Sequence, residues 1–329
     1  MSSLTEFLGG FASEHGVSTI SEPRAFLHSE ELYDQQYGIE RLDLAFHAQE
    51  GKGVLELCES FGYNPTGPML EIGCGTGRLS LSIVLAADSQ EILITDPSPA
   101  FCQITARKLA ALSRDLGNVK VAVLTAEDVS KLPKSTFSAI FLRSTLHHVL
   151  DVKRFLVECS QILAPGGMLL FEEPCTEGYL LMGAITQLMP AALGSKGVVL
   201  SAKHLADIRM FADTMMFYAR RDIDKSAAED KHLFRPEEIG RICRGCNMQL
   251  EFFPNRVFTN IRERNEPLPD DYFERFYMDY VEYAMSWDRE LLGLFDRHAR
   301  EYLRYFSPLA RNGALPHTYS TFLCKKSAF

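Results

Sequence analysis

Leu70-Glu71-Ile72-Gly73-Cys74-Gly75-Thr76-Gly77 sets three glycines at alternate positions behind a short apolar run starting at Met69, and an apolar helical pattern follows at once. A strand that passes through a glycine turn into a helix brings unpaired backbone N–H groups to the helix start. Glycine removes the side chain that would block an incoming group there and tolerates unusual backbone angles. The turn is therefore expected to receive something polar. Asp96 closes the next apolar run, Glu91 to Thr95, where a carboxylate can accept hydrogen bonds from both hydroxyls of a ribose. A dinucleotide site would be spelled G-x-G-x-x-G; the spelling G-C-G-T-G, with Glu71 inside the preceding strand, favours a different nucleoside.

Working outward, short apolar runs alternate with amphipathic stretches: a helix from Gly77, a helix from Pro99, strands at Val119 to Leu124 and Ala139 to Leu142, a helix near Val152 to Leu163, and a strand at Met168 to Phe171. That rhythm predicts parallel strands joined by crossover helices, an α/β doubly wound fold. Pro165, Gly166 and Gly167 are expected to end the helix before the last of these strands.

Four segments are expected. Residues 1–65 read as a largely helical N-terminal cap, residues 66–174 as the core, residues 175–233 as a helical insertion or lid, and residues 234–329 as the completion of the core with a helical insertion at about 270–306. In the last segment a helix enters at Pro236 with Glu237 and Glu238 in its first turn, where the helix dipole favours carboxylates. Leu250 to Thr259 and His317 to Lys325 read as strands. The aromatics Tyr272, Phe273, Phe276, Tyr277, Tyr280, Tyr283 and Trp287 recur at helical spacing, the mark of a packed face. No internal repeat or low-complexity tract interrupts the 329 residues.

Hydrophobic residues make up 46% of the chain and charged residues 23%, an ordinary globular composition. The net charge of -9 argues against a general attraction to nucleic-acid phosphates. The apolar stretch Gly178 to Leu193 is too short, and too interrupted by Gln187 and Pro190, for a membrane span. No secretion signal is visible at the N-terminus, which gives a cytoplasmic expectation. Eight scattered cysteines suit reduced thiols. Cys243 and Cys246 have metal-like spacing but lack a second such pair, so packing at a helix end is the expectation and no metal site is assigned.

The glycine turn resembles motif I of the class I (Rossmann-like) S-adenosylmethionine-dependent methyltransferases, and the small-molecule branch in particular. Further matches follow in order: Asp96 resembles the acidic residue that holds the cofactor ribose; Ala126-Glu127-Asp128 with Leu132-Pro133 resemble the adenine-contacting loop; Leu146-His147-His148 resemble the motif after strand four; and Leu163-Ala164-Pro165-Gly166-Gly167 resemble the turn before strand five. Phe234 to Glu238 and Phe322 to Lys326 resemble the closing helix and reversed last strand. The resemblance implies a mostly parallel seven-stranded sheet with that last strand reversed, S-adenosyl-L-methionine as cofactor, and Glu71, Gly73, Cys74, Gly75, Thr76, Gly77, Asp96, Pro97, Ala126, Glu127, Asp128 and Arg143 around it. Ser138 stands where the family usually has aspartate, and Gln161 and Ala164 replace its common arginine and lysine, which suggests a divergent branch.

A sulfonium methyl needs little activation, so the protein must align a nucleophile and, for a hydroxyl, remove its proton. His147 and His148 follow the fourth strand at the sheet edge where open α/β folds bind ligands, and Glu173 ends the neighbouring strand, so these three are the candidate catalytic residues, with a structural or positioning role for the histidines left open. Arg143 and Ser144 either face the ligands or cap the next helix. Tyr33, Tyr37, Tyr179 and His147 are candidate substrate contacts; each tyrosine would serve equally well as an anchor in the packing. The leading expectation is methylation of a small apolar, lipid-like or natural-product hydroxyl, because Tyr179, Met182, Met189, Met210, Met215 and Met216 enrich the insertion, though the same residues would also suit a core. Two alternatives stand: carbon methylation of an activated acid such as a 2-oxo acid, with a metal held by His204, His232 or His298, and a non-catalytic nucleoside-binding partner subunit. The aromatic segment Asp270 to Tyr305 would suit association, including a homodimer.

Overall fold

The computed structural model describes residues 4–25, 29, 32–34, 43–62, 67–87, 90–112 and 116–328. The chain divides into two compact units, the first made of Met1–Glu173, Pro236–Arg262 and Ser320–Phe329, the second of Pro174–Arg235 and Glu263–Tyr319.

The first unit is built on a sheet with the strands β1 (Ser13–Glu14), β2 (Val17–Thr19), β3 (Met69–Ile72), β4 (Ile92–Asp96), β5 (Val119–Val123), β6 (Phe137–Arg143), β7 (Leu163–Pro174), β8 (Met248–Phe253) and β9 (Tyr319–Lys326). Among the described residues the order is β1-β2-β5-β4-β3-β6-β7-β9-β8. The pairs β2–β5, β5–β4, β4–β3, β3–β6 and β6–β7 are parallel, and β8–β9 is antiparallel, so the reversal lies at the end expected for it. The glycine turn leaves β3 at the middle of the sheet, where β4 and β6 flank it on either side.

The count exceeds the expected seven strands because part of the segment read as a helical cap is extended. His15 and Gly16 carry φ of +51° and +80°, the conformation of a two-residue hairpin turn, and so fold β1 onto β2. Val17 then pairs with Val121 and is buried, extending the sheet beyond β5. A two-residue turn spelled with histidine carries little sequence signal.

Side-chain caps start the helices that follow β4 and β6. Ser98 Oγ accepts from Phe101 N at 3.3 Å ahead of the Pro99–Ala110 helix, and Asp151 caps the Val152–Ile162 helix through Arg154 N. The Leu44–Ser60 helix packs on Arg78–Ala86, which touches Pro99–Ala110; a second group joins Val152–Ile162 to Ala126–Lys131 and Pro236–Gly245. Gly51 permits the closest crossing, since a Cβ there would sit 1.9 Å from the Ser82 carbonyl oxygen. The core beneath these helices includes Leu57, Met69, Leu81, Ile94, Val123, Phe141 and Leu170.

The Pro165-Gly166-Gly167 run is not a turn between elements. The helix ends at Ile162 as expected, but β7 begins at Leu163, and the register slips between Phe137, opposite Leu163, and Ala139, opposite Met168. The run is a bulge inside the strand, with Gly166 at φ +75°. Ser138, in the place of the family's aspartate, donates from Oγ to Gly67 O at 2.8 Å beside this bulge. The strand expected over Leu250 to Thr259 stops at Phe253, and Phe258–Glu263 forms two short tight turns with a kink at Asn260 instead.

The second unit is helical. Thr176–Ser195 packs along Ala202–Ala219, with Gly183 against Met215, and Tyr272–Asp279, Arg289–His298, Arg300–Arg304 and Ser307–Arg311 are further helices of this unit. Tyr179, Met182, Met189, Phe211, Met215, Tyr277, Trp287 and Phe295 form its core. The aromatic stretch is not one continuous helix: a wide turn at Tyr280–Ala284 and Ser286 at φ +51° break it, and Asp288 caps the next segment through Leu291 N at 2.9 Å. No helix among the described residues is long and apolar enough to cross a membrane.

Candidate active site

The glycine turn adopts backbone angles that its sequence anticipates. Gly73, Gly75 and Gly77 have φ of +76°, +51° and +89°. Gly73 N and Cys74 N both donate to Thr95 O, at 2.8 and 2.9 Å, which fixes the turn to the end of β4. The three glycines are required for different reasons. A Cβ on Gly73 would come within 2.4 Å of the Thr145 side chain, and one on Gly77 within 2.9 Å of Thr105 Oγ1, whereas one on Gly75 would meet nothing within 4 Å among the described residues. Gly75 therefore borders open space. Gly77 caps the Arg78–Ala86 helix without any side-chain hydrogen bond, so the first N–H groups of that helix rely on backbone or ligand.

Asp96 is buried and locks the turn from below: Gly75 N donates to Oδ2 at 2.9 Å and Ser98 N to Oδ1 at 2.9 Å. A carboxylate oxygen can accept from more than one donor, so the geometry remains compatible with ribose hydroxyls. Pro97 follows and accepts from Arg24 N at 2.9 Å. Inside β3, Glu71 is fully buried and accepts from Ser80 Oγ at 2.6 Å. Burial pushes its carboxyl up to about 8 despite that hydrogen bond, with the Asp96 charge adding to the rise. Burial likewise raises the Cys74 thiol well above its ordinary range, a packing residue rather than a nucleophile. Thr76 O accepts from Lys108 Nζ at 3.0 Å, and Lys108 pairs in turn with Asp34. After β5, Ala126–Lys131 forms a short tight helix in which Glu127 pairs with Arg24 at 3.2 Å and Asp128 with Lys131 at 2.8 Å.

At the neighbouring strand ends, Glu173 is wholly buried and engages both carboxylate oxygens. Thr145 N donates to Oε1 at 2.8 Å and Leu146 N to the same atom at 2.5 Å, while His147 Nδ1 meets Oε2 at 2.5 Å. The glutamate thus orders the Leu146–His148 turn and orients its imidazole together. His148 stacks at a tilt, its ring centroid 4.0 Å from that of His147.

Arg143, expected at the cofactor, lies in a buried ion network. Its Nη1 meets Glu50 Oε1 at 2.9 Å and its Nε meets Glu172 Oε1 at 2.8 Å. Ser82 Oγ donates to the other oxygen of Glu50 at 2.6 Å and contacts His47 Nδ1 at 2.8 Å. Burial raises Glu50, but Arg143, the Ser82 hydrogen bond and Arg78 together hold it below the usual carboxylate range. For Glu172 burial wins over Arg143 and the carboxyl is raised. Burial also lowers His47, whose Nε2 has no hydrogen-bond partner among the described residues.

Tyr33 packs its ring 5.4 Å from Phe101, and Tyr37 lies outside the described residues. Tyr179 belongs to the second unit, where its ring meets Tyr280 at 5.4 Å. Cys243 has its sulfur 3.2 Å from that of Cys324, a packed pair between helix and β9 rather than a pairing with Cys246. Lys108, Thr105 and Thr145 contact the glycine turn and were not singled out from the sequence. Thr105 and Lys108 lie three apart on one helix, and that face was the available signal.

The glycine cradle, the open space at Gly75, the uncapped helix start and the carboxylate at the end of β4 fit an adenosyl cofactor. Residues 70–169 match the family model described as a methyltransferase domain. Over 121 residues the chain is 33% identical to the ubiquinone biosynthesis O-methyltransferase of Sinorhizobium fredii, covering 35% of this chain and 46% of that protein. It is 28% identical over 111 residues to the thiol S-methyltransferase TMT1B of Homo sapiens, covering 34% and 44%. A solved phosphoethanolamine N-methyltransferase 2 from Haemonchus contortus, in complex with S-adenosyl-L-methionine, aligns with 93% of this chain and 61% of its own at a TM-score of 0.46 and 15% identity. The segment 70–169 is a methyltransferase domain of the S-adenosylmethionine-dependent class I type, with S-adenosylmethionine as its cofactor. Its match spans somewhat under half the length of these curated relatives, 46% and 44%.

Proposed function

We propose that the protein transfers the methyl group of S-adenosylmethionine to a hydroxyl of a small apolar molecule, with His147 as general base and Glu173 as its orienting partner. The observation that carries this reading is the 2.5 Å contact between His147 Nδ1 and Glu173 Oε2, made by a carboxylate whose other oxygen is held by two backbone N–H groups. A carboxylate so held accepts a hydrogen bond from Nδ1–H, which leaves Nε2 as the ring nitrogen that takes a proton from an acceptor. Gly73 to Gly77 and Asp96 would hold the cofactor, which supplies an electrophilic methyl carbon when bound. The network around Arg143 would keep the strand ends in register.

A thiol acceptor is the second reading, favoured by the likeness to a thiol S-methyltransferase. A thiol ionises near pH 8.5 and needs less help from a base. Methyl transfer from labelled S-adenosylmethionine into a matched panel of apolar alcohols, phenols and thiols separates the two. Label in an alcohol or phenol, lost with His147→Ala, supports the first; label confined to thiols and retained in that variant replaces it with the second.

A further inference from the structure

Arg143 and Glu172 are direct partners in the register of β6 and β7, and their side chains pair at 2.8 Å. The very next residues do different work: Glu173 turns to His147, while Ser144 N donates to Glu172 O at 3.1 Å. Two consecutive glutamates on a strand face opposite sides of the sheet. One therefore serves the ion network and the other the imidazole.

Between them the chain bends sharply. Ser144 has φ +50°, a region that non-glycine residues enter at a cost and keep only where the surroundings hold them. The hold comes from both ends. Upstream, Arg143 is tied to Glu172 on β7 and to Glu50 on the Leu44–Ser60 helix, and Glu172 Oε2 is itself fixed by Phe258 N at 2.6 Å. Downstream, Glu173 grips Thr145 N and Leu146 N. Thr145 also contacts both halves of the site, donating from Oγ1 to Arg143 O at 2.9 Å and packing on Gly73.

We propose that Arg143, clamped between Glu50 and Glu172, is a positioning residue that holds the strained Ser144 turn and so sets where His147 and Thr145 stand. It touches no reacting atom. The proposal rests on the reading of His147 as the base, and its test separates the two.

The full chain is assayed for methyl transfer, with affinity for S-adenosylhomocysteine measured alongside. Arg143→Lys keeps the charge but lacks the planar fork that reaches two carboxylates. It is expected to bind S-adenosylhomocysteine within about twofold of the parent and to leave the acceptor KM close to its original value, while kcat falls on the order of tenfold to a hundredfold, the scale of a misplaced catalytic group. Glu50→Gln, which weakens one of the two contacts, is expected to show a smaller loss in the same direction, and it keeps the test alive if the lysine variant fails to fold. A purely structural role would lower Tm and leave kcat per folded molecule unchanged; that result in the folded variants overturns the proposal. Full turnover in His147→Ala would instead remove the reading beneath it, and the proposal with it.

Discussion

Glu173 holds His147 from the end of the neighbouring strand, Oε2 to Nδ1 at 2.5 Å, and uses its second oxygen to fix the two residues that lead into the histidine. One buried side chain thereby sets both the position and the ring orientation of the imidazole proposed as the base. Glu173→Gln keeps the volume but replaces the charged acceptor, and His147→Ala removes the base. Both are expected to lower kcat by about 10²–10⁴-fold with S-adenosylhomocysteine affinity little changed. Steady-state kinetics beside calorimetric titration checks this.

Gly73 and Gly75 should fail differently when replaced by alanine. At Gly73 the new methyl meets Thr145 at 2.4 Å and the backbone sits at φ +76°, so the variant is expected to lose stability and to disturb the His147 turn. At Gly75 no described residue lies within 4 Å of the added methyl, so the folding cost is mainly backbone strain, about 1–2 kcal/mol. The added methyl enters the space proposed for the cofactor. Gly75→Ala should therefore stay folded near room temperature while S-adenosylhomocysteine affinity drops about tenfold or more, a loss that costs roughly 1.4 kcal/mol per decade.

Glu71 makes stability fall toward alkaline pH. Burial raises its folded-state pKa to about 8, above its value in an unfolded chain, so the native state holds the proton more tightly. Its favourable contribution is complete below the unfolded value and is lost as pH rises through about 8. Glu71→Gln cannot ionise and is expected to remove that slope, by an amount on the order of a few kcal/mol across the window. Chemical denaturation of both proteins between pH 5 and 9 gives the comparison.

The central sheet was legible because β3 to β7 announce themselves as apolar runs cut by glycine and proline, and because the glycine turn must follow a strand. Asp96 and Glu173 could be singled out because each stands at the end of a strand, and His147 and His148 because they lie in the short turn that follows β6. The ion network was not. Glu50 and His47 lie on the Leu44–Ser60 helix among polar residues, and only the close crossing at Gly51 brings them to Ser82 and Arg143. Contacts of that kind depend on helix packing, which leaves no local pattern. The β1–β2 hairpin was hidden for a different reason, since strands of two and three residues are too short to show a period.

The most direct test of the whole account is calorimetric titration of the full chain with S-adenosylhomocysteine. The expected result is one-to-one uptake by the parent protein that Asp96→Ala weakens by at least about tenfold, the scale of one lost charged hydrogen-bond partner. No uptake by the parent protein, or equal uptake by the variant, would contradict the claim that the Gly73–Gly77 turn and Asp96 hold an adenosyl cofactor.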